Sequence, residues 1–454
     1  MGRIEPMKYR LLPVALLVAL CAMRTASAVE APPDCRRDCE DLLRANHAAL
    51  PLSKARIDAS AGPLRDAFTR YLQASDSARA HDRAALREER QGLMSIPAPR
   101  ASVAGGDSMP LNSTEAYYTS DAALEIAREI VSFQVPSGGW GKNMRRDGSI
   151  RLRGQSYIDE EIDPESDGDW GYVGTFDNGA TTTEIRYLAK VQAVQTTDRA
   201  GLRDSIVRGL DLLIVAQYPN GGWPQNYPLS GGYHDAITLN DDAMLQIVRL
   251  LYDVGHRRDG DFAFVDGTMR ARAKTAAEAG IDWFVAQQVR IGGRRTLWGQ
   301  QHDALTQLPT AARAFEMPAL ASSESVRIVA FMMTLPEPDA EMRAAVYAAV
   351  DFLRASRIDS KRWRDGELLD DPQSSVWARF YALDVYEPEA SSVDARVRPL
   401  FGDRPQPHGS RAYGLVFGTL RAVSAERRRG YAQYNRAAEG LLSDFDVWCE
   451  RYPR

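Results

Sequence analysis

Cysteine and histidine are scarce, at four and six in 454 residues. The histidines (His47, His81, His234, His256, His302 and His408) show no HxxxH or HExxH spacing, and no group of cysteines reads as a metal-thiolate site, so zinc has no seat. An excess of positive charge is missing too. Lys and Arg total 56 against 61 Asp and Glu, a net charge of −5, which excludes the basic footprint that draws a domain to nucleic acid or a polybasic membrane surface. Past the first segment no apolar run approaches the length of a membrane span. What is present, 44% hydrophobic and 9% aromatic residues, suffices for a large core and argues against wholesale disorder.

Residues 1–28 carry Arg3, Lys8 and Arg10, then an apolar run from Leu11 to Met23, then Ala26-Ser27-Ala28. That order of charge, grease and small residues is a secretory signal, cleaved after Ala28. A secreted or periplasmic protein is expected, with no membrane contact after cleavage. Leu20 before Cys21 argues against a lipid anchor. The remaining Cys35, Cys39 and Cys449 make an odd set, in which Cys35 and Cys39 are close enough in sequence to pair. Residues 29–112 read as a helical extension ending in a linker of breakers, Ile96-Pro-Ala-Pro-Arg and Ala104-Gly-Gly-Asp. The main domain is placed at 113–454.

Within it, apolar periodicity marks helices over 121–134, 182–195, 202–217, 241–254, 271–288, 323–335 and 339–356, with few strand signals. A repeat accompanies them. Gln134-Val-Pro-Ser-Gly-Gly-Trp-Gly-Lys-Asn143 and Gln217-Tyr-Pro-Asn-Gly-Gly-Trp-Pro-Gln-Asn226 share six residues at equal offsets, and a weaker copy runs from Gln287 through Gly293 to Trp298. Hairpins repeated in this way bury their faces only against each other. The fold class expected is all-α: an α/α toroid-like array of helical hairpins with long irregular loops and little sheet. In the plain reading, Gln caps backbone groups and Trp packs beneath the next hairpin.

Three helix starts are unusual. Asp177-Asn178 precedes one, with Thr181 and Glu184 at capping-box spacing, and Asn240-Asp241-Asp242 precedes the next. A cap needs one short acceptor. The surplus oxygens, from equivalent places in a repeat, suit a hard cation such as Ca²⁺. The third start, Ser322-Ser323-Glu324-Ser325-Val326-Arg327, puts a cation in the first turn, where the helix dipole disfavours it, unless Arg327 pairs with Glu324. The acidic run 159–169 lacks the final Glu of an EF-hand and reads as a solvated loop.

The ordered motifs Ser137-Gly-Gly-Trp-Gly-Lys-Asn143, Thr175-Phe-Asp-Asn178, Gly221-Gly-Trp-Pro-Gln-Asn226 and Asn240-Asp-Asp-Ala-Met244 resemble the family 10 polysaccharide lyases, which are pectate lyases. Trp298-Gly-Gln-Gln-His-Asp303, Glu324-Ser-Val-Arg327, Ala378-Arg379-Phe-Tyr381 and Arg427-Arg-Arg-Gly-Tyr431 continue the resemblance to about residue 435. It implies a secreted, calcium-dependent pectate lyase that cleaves polygalacturonate, or pectin, by β-elimination to 4,5-unsaturated oligogalacturonides, working as a monomer. Asp177 and Asp241 then match the calcium-binding acids and Arg327 the base. Lys142, Asn178, His302, Arg404 and Arg428 match substrate-binding positions. Arginine is an awkward base, because a guanidinium ordinarily holds its proton to about pH 12 or above. Calcium, further arginines and a helix N-terminus would each disfavour the charged form. Departures include Gln433 where an aromatic is usual, Gly299 where Cys is usual, and an insertion at 386–398. The residues before 113 have no counterpart in the family. Two alternatives keep the same acids: a toroid hydrolase using Asp177 with Asp241, and a non-catalytic uronan-binding protein. A triterpene cyclase, which shares the Gln-to-Trp spacing, is disfavoured by the missing Asp-x-Asp-Asp motif.

Overall fold

A computed structural model describes residues 34–35, 46–102, 109–166, 170–195, 201–404 and 413–454. Residues 1–28, expected to be a signal segment, and Cys39 lie outside the described residues; Cys35 is disulfide-bonded and Cys449 is a free thiol. Among the described residues no helix is long and apolar enough to cross a membrane.

The apolar-periodic segments form helices close to their expected bounds. After α1 (Lys54–Ser60) and α2 (Arg65–Arg90) come α3 (Asp121–Ser132), α4 (Thr182–Val194), α5 (Leu202–Val215), α6 (Ala243–Gly255) and α7 (Gly267–Ala286). α8 (Ser322–Thr334), α9 (Ala340–Ala355) and the C-terminal α10 (Ala438–Arg451) complete the set. Four starts are closed by side chains in the usual way: Ser53 accepts from Arg56 N, Ser120 from Ala123 N, Asp266 from Met269 N and Asp339 from Met342 N.

The helices pair as α4–α5, α6–α7 and α8–α9, and α5, α7 and α9 neighbour one another in turn. α4 packs on α6, and α6 meets α8 through Tyr252 and Phe331, whose ring centroids lie 6.2 Å apart. The result is an inner row α4, α6, α8 backed by an outer row α5, α7, α9, the toroid-like array that the repeat implied. Beyond the expected little sheet, a two-stranded ribbon of β4 (Ile358–Arg364) and β5 (Glu367–Ala378) follows α9. The other strands are short. β1 (Ile237–Thr238) pairs with β2 (Gln301–His302), and β3 (Leu320–Ala321), β6 (Phe380–Tyr381), β7 (Pro399–Asp403) and β8 (Leu415–Phe417) form one antiparallel sheet. β9 (Tyr434–Asn435) joins β5.

The repeat residues have structural duties. Gln134 Nε2 donates to Gly138 O in its own turn and to Ser205 O in the next outer helix, and Gln217 Nε2 does the same with Gly221 O and Ala276 O. In the third copy the residue is Gln288, one place after Gln287, donating to Thr296 O and Ala345 O. Trp140, Trp223 and Trp298 are fully buried, and each indole N–H donates to a carbonyl near the end of the preceding helix: Ile130, Leu213 and Phe284. Trp377, on β5, repeats the bond to Leu353 O in α9 and so reveals a fourth copy without the Gly-Gly signature. Gly138 is required by its turn: φ is +113°, and a Cβ there would sit 2.6 Å from Arg208 O.

Residues 46–102, within the 29–112 segment read as an extension, pack on this array. Phe68 and Tyr71 of α2 lie against Tyr218, at 5.7 and 4.7 Å between centroids, inside the same hydrophobic core as the toroid helices. The 386–398 insertion packs against the outer row, with Tyr386 5.0 Å from Phe352 of α9, Val397 buried in the core and Glu389 paired to Arg294.

Candidate active site

The repeat dictates where the three unusual helix starts fall. Thr175 N, Thr238 N and Ala321 N donate to the carbonyls of Trp140, Trp223 and Trp298 at 3.1, 3.0 and 2.7 Å. The next residues along are hung on the following repeat: Phe176 N donates to Gln225 O, Leu239 N to Gln300 O and Ser322 N to Arg379 O, at 2.9, 3.0 and 3.0 Å. Gln225, Gln300 and Arg379 each stand two residues after a repeat tryptophan. The same register therefore brings the starts of α4, α6 and α8 to one face, with the 177–179 turn against the 240–242 turn and the latter against α8.

None of the three starts is capped as the sequence implied. α4, α6 and α8 have no side-chain cap bond, while Asn178, Asp241 and Asp242 take left-handed backbone conformations at φ 54°, 49° and 61°. Non-glycine residues pay strain there, a recurrent mark of functional turns. The Thr181–Glu184 capping box does not form. Thr181 Oγ1 accepts from Trp140 N and donates to Thr175 O, and Glu184 pairs with Arg146 at 2.8 Å. With caps absent, the positive ends of three helix dipoles meet two carboxylates, Asp177 and Asp241. Burial raises the Asp241 pKa, and the neighbouring Asp177 charge raises it further, so the two acids repel.

Around this pair, Lys142 forms an ion pair with Asp177 and stands 3.9 Å from the Tyr172 ring centroid. Lys142, too, is two residues after a repeat tryptophan. Asn178 is exposed, its Nδ2 donating to Asn143 Oδ1 at 3.3 Å. Asp241 Oδ2 accepts from Asn240 Nδ2 at 2.6 Å, and Asn240 Oδ1 accepts from both Gln300 Nε2 and Arg379. Arg327 pairs with Asp242 and not with Glu324, keeping 40% of its side chain exposed. Glu324 instead pairs with Arg379 at 3.2 Å. Burial opposes the Arg379 charge, but Glu324, Tyr431, Glu316 and Asp241 outweigh it and raise its pKa.

Arg379 stands in a motif of the family resemblance but carries no role there; its equivalence to Lys142 and Gln300, at the second place after a tryptophan, is the signal that marks it. A cationic cluster lies beyond it. The guanidiniums of Arg427, Arg313 and Arg404 stand 4.2, 4.9 and 5.3 Å from the Phe315 ring centroid. Burial and the Arg404 charge both lower the Arg427 pKa. Of the adjacent arginines, Arg427 accompanies Arg404; the expected Arg428 has its backbone against Gly366, at the tip of the β4–β5 ribbon.

His302 takes a different place from the one expected of it. It is fully buried; its Nε2 accepts from Gly299 N at 2.9 Å and its Nδ1 donates to Gln307 O at 2.8 Å. Both ring nitrogens are committed to backbone and none remains for a sugar.

The oxygen donors here suit a hard cation. Two mutually repelling carboxylates on strained turns, with amide oxygens alongside, match the preference of Ca²⁺ for six to eight oxygens. Among the described residues no three or more His, Cys, Asp or Glu side chains cluster for a metal. Asp177 and Asp241 are the residues that would hold such a cation.

A family model for pectic acid lyases matches residues 134–442. A solved family 10 polysaccharide lyase from Cellvibrio cellulosa is 28% identical, with a TM-score of 0.60 over 77% of this chain and 99% of that one. An aspartate-to-alanine mutant of such a lyase from the same organism, in complex with trigalacturonic acid, matches at 28% identity and a TM-score of 0.59, over 76% of this chain and 98% of that one. Among curated proteins no significant match is found.

Proposed function

We propose, from the premise that this chain belongs to the pectic acid lyase family and is a polysaccharide lyase, that it is exported and cleaves polygalacturonate by calcium-assisted β-elimination. The observation that carries the reading is the meeting of the 177–179 turn, the 240–242 turn and the start of α8 on one face. Residues 113–454 are taken as the lyase domain.

β-Elimination removes the proton at C5 of a galacturonate, forms the C4–C5 double bond and breaks the C4–O4 bond, so that O4 leaves carrying a proton. Negative charge builds on the C6 carboxylate as the C5 proton departs. Asp177 and Asp241 would hold Ca²⁺, which supplies electrostatic stabilisation to that carboxylate when bound. Arg327, exposed and oriented by Asp242, is the group assigned to take the C5 proton. Lys142, Asn178 and Arg404 are assigned to substrate, with Arg427 taking the place expected of Arg428. The charges of Lys142, Arg404 and Arg427 answer a polymer that carries one carboxylate per sugar.

The test is ultraviolet absorbance of the unsaturated uronide, followed with polygalacturonate in calcium and again in chelator. Absorbance that grows only with calcium supports the reading. New reducing ends without absorbance would mean hydrolysis by the paired acids, and silence in both assays with retained polymer binding would mean a binding protein.

A further inference from the structure

The residues before the lyase domain reach the active face in several places. Asp82, on α2, accepts from both Ser137 N and Ser137 Oγ, at 2.8 and 2.7 Å, in the turn that leads to Lys142. Ser75 Oγ accepts from Leu229 N at 2.8 Å, and Arg79 donates to Leu229 O. Leu52 N donates to Asp235 Oδ2 at 2.9 Å while Gly231 N donates to Asp235 Oδ1 at 2.8 Å, so both carboxylate oxygens close the 229–235 loop. That loop carries His234, which feels the charges of Asp177 and Lys142. Asn46 Nδ2 donates to Ala314 O at 2.9 Å, between Arg313 and Phe315 of the cationic cluster.

Three separate segments that bear site residues, 137–142, 229–235 and 313–316, are therefore tied to one external strap. Ser75, Asp82 and Asp235 are almost wholly buried, and a buried polar group is retained only with its partners in place. Burial pushes the Asp82 carboxyl up to about 6, even against the two Ser137 bonds that pull it down. A helix docked for bulk stability would place an apolar residue there. The solved lyases are covered almost whole while about a quarter of this chain is left over, and the family match begins at residue 134.

We infer that residues 46–102 are a positioning strap that holds the Lys142, His234 and Arg313–Phe315 segments in register for a long polyuronate, and so set the grip on polymer. The inference rests on the pectate-lyase reading for the identity of the polymer. The strap touches no group assigned to the proton transfer, so its effect falls on binding before turnover.

The experiment uses the full chain with three changes: Asp82→Ala, Asp82→Asn, and Ser75→Ala with Arg79→Ala. Steady-state rates on polygalacturonate are measured beside polymer retardation in affinity gels. For Asp82→Ala and for the double variant, KM is expected to rise about fivefold, the equivalent of one buried hydrogen bond, with kcat within about twofold of wild type. Asp82→Asn keeps an acceptor for Ser137 N and a donor for Ser137 Oγ, so it should restore wild-type KM. If KM is unchanged, or if kcat falls with the folded fraction while KM stays put, the strap is only structural and the inference fails. If the wild type forms no unsaturated product, the lyase reading fails, while gel retardation still reports whether the strap controls polymer binding.

Discussion

Acid should unfold this protein partly through a single ring, His302. Burial pushes its pKa down from 6.5 to about 4, although the bond to Gln307 O pulls the other way. The folded state thus binds the proton less tightly than the unfolded chain. The contribution is fully present above pH 6.5 and is lost as the pH falls toward 4. At about 1.36 kcal/mol per unit, the whole loss is about 3 kcal/mol, of which about 2 kcal/mol has gone by pH 5. The assay is reversible urea unfolding of wild type and His302→Gln, each near pH 7 and near pH 5. The variant gives up one backbone bond and the edge contact with Trp283. Near neutrality it should be the weaker by about 1 kcal/mol or more. Toward pH 5 the wild type loses its extra margin and the difference should move by about 2 kcal/mol in the variant's favour, enough to cancel or reverse it. Other titrating groups are common to both proteins and cancel. A gap of the same size at both pH values would refute the argument, because a neutral, buried imidazole cannot be indifferent to the proton.

Asp241→Ala should abolish most activity with partial recovery in excess calcium, whereas Arg327→Ala should lose turnover yet still retard in polygalacturonate gels; wild-type rates in either would remove that assignment. Arg379→Gln leaves Glu324 as an unpaired buried charge and should cost about 3 kcal/mol in urea unfolding. Adding Glu324→Gln should recover a large part of that loss, and no recovery would mean that the pair is not what matters. Trp223→Phe removes the donor to Leu213 O from a fully buried position and should destabilise by about 2 kcal/mol, seen as a lower urea midpoint at unchanged slope.

The helices were legible because an amphipathic face repeats every 3.6 residues and the apolar runs of this chain keep that period. The convergence of Asp177, Asp241 and Arg327 was legible in outline, since equivalent positions of a repeat must recur in space. The chemistry of the starts was less so. Asp241 and Asp242 look like caps, but left-handed backbone turns their carboxylates away from that duty, and nothing in a string of letters states φ. The β4–β5 ribbon escaped notice because its first part, Ile358-Asp-Ser-Lys-Arg-Trp-Arg364, is mostly polar and partly solvent-facing. That ribbon hid the fourth tryptophan, and with it Arg379. His302 misled because a histidine in a motif invites a chemical role, while its ring is taken up by the nearby Gly299 and Gln307 backbone and packed on Trp283, which the motif does not state.

The tryptophan register separates the residues that hold the scaffold from those that differ between its copies. Four indoles do the anchoring, and the side chain two places later is Lys142, Gln225, Gln300 or Arg379. Cation, amide, amide and cation thus occupy equivalent addresses on unchanged foundations. Descendants of such a chain can exchange one charge for another at these addresses without rebuilding the core beneath. Repetition of the hairpin gives the architecture, and a different side chain at a single offset is enough to make its copies chemically unlike.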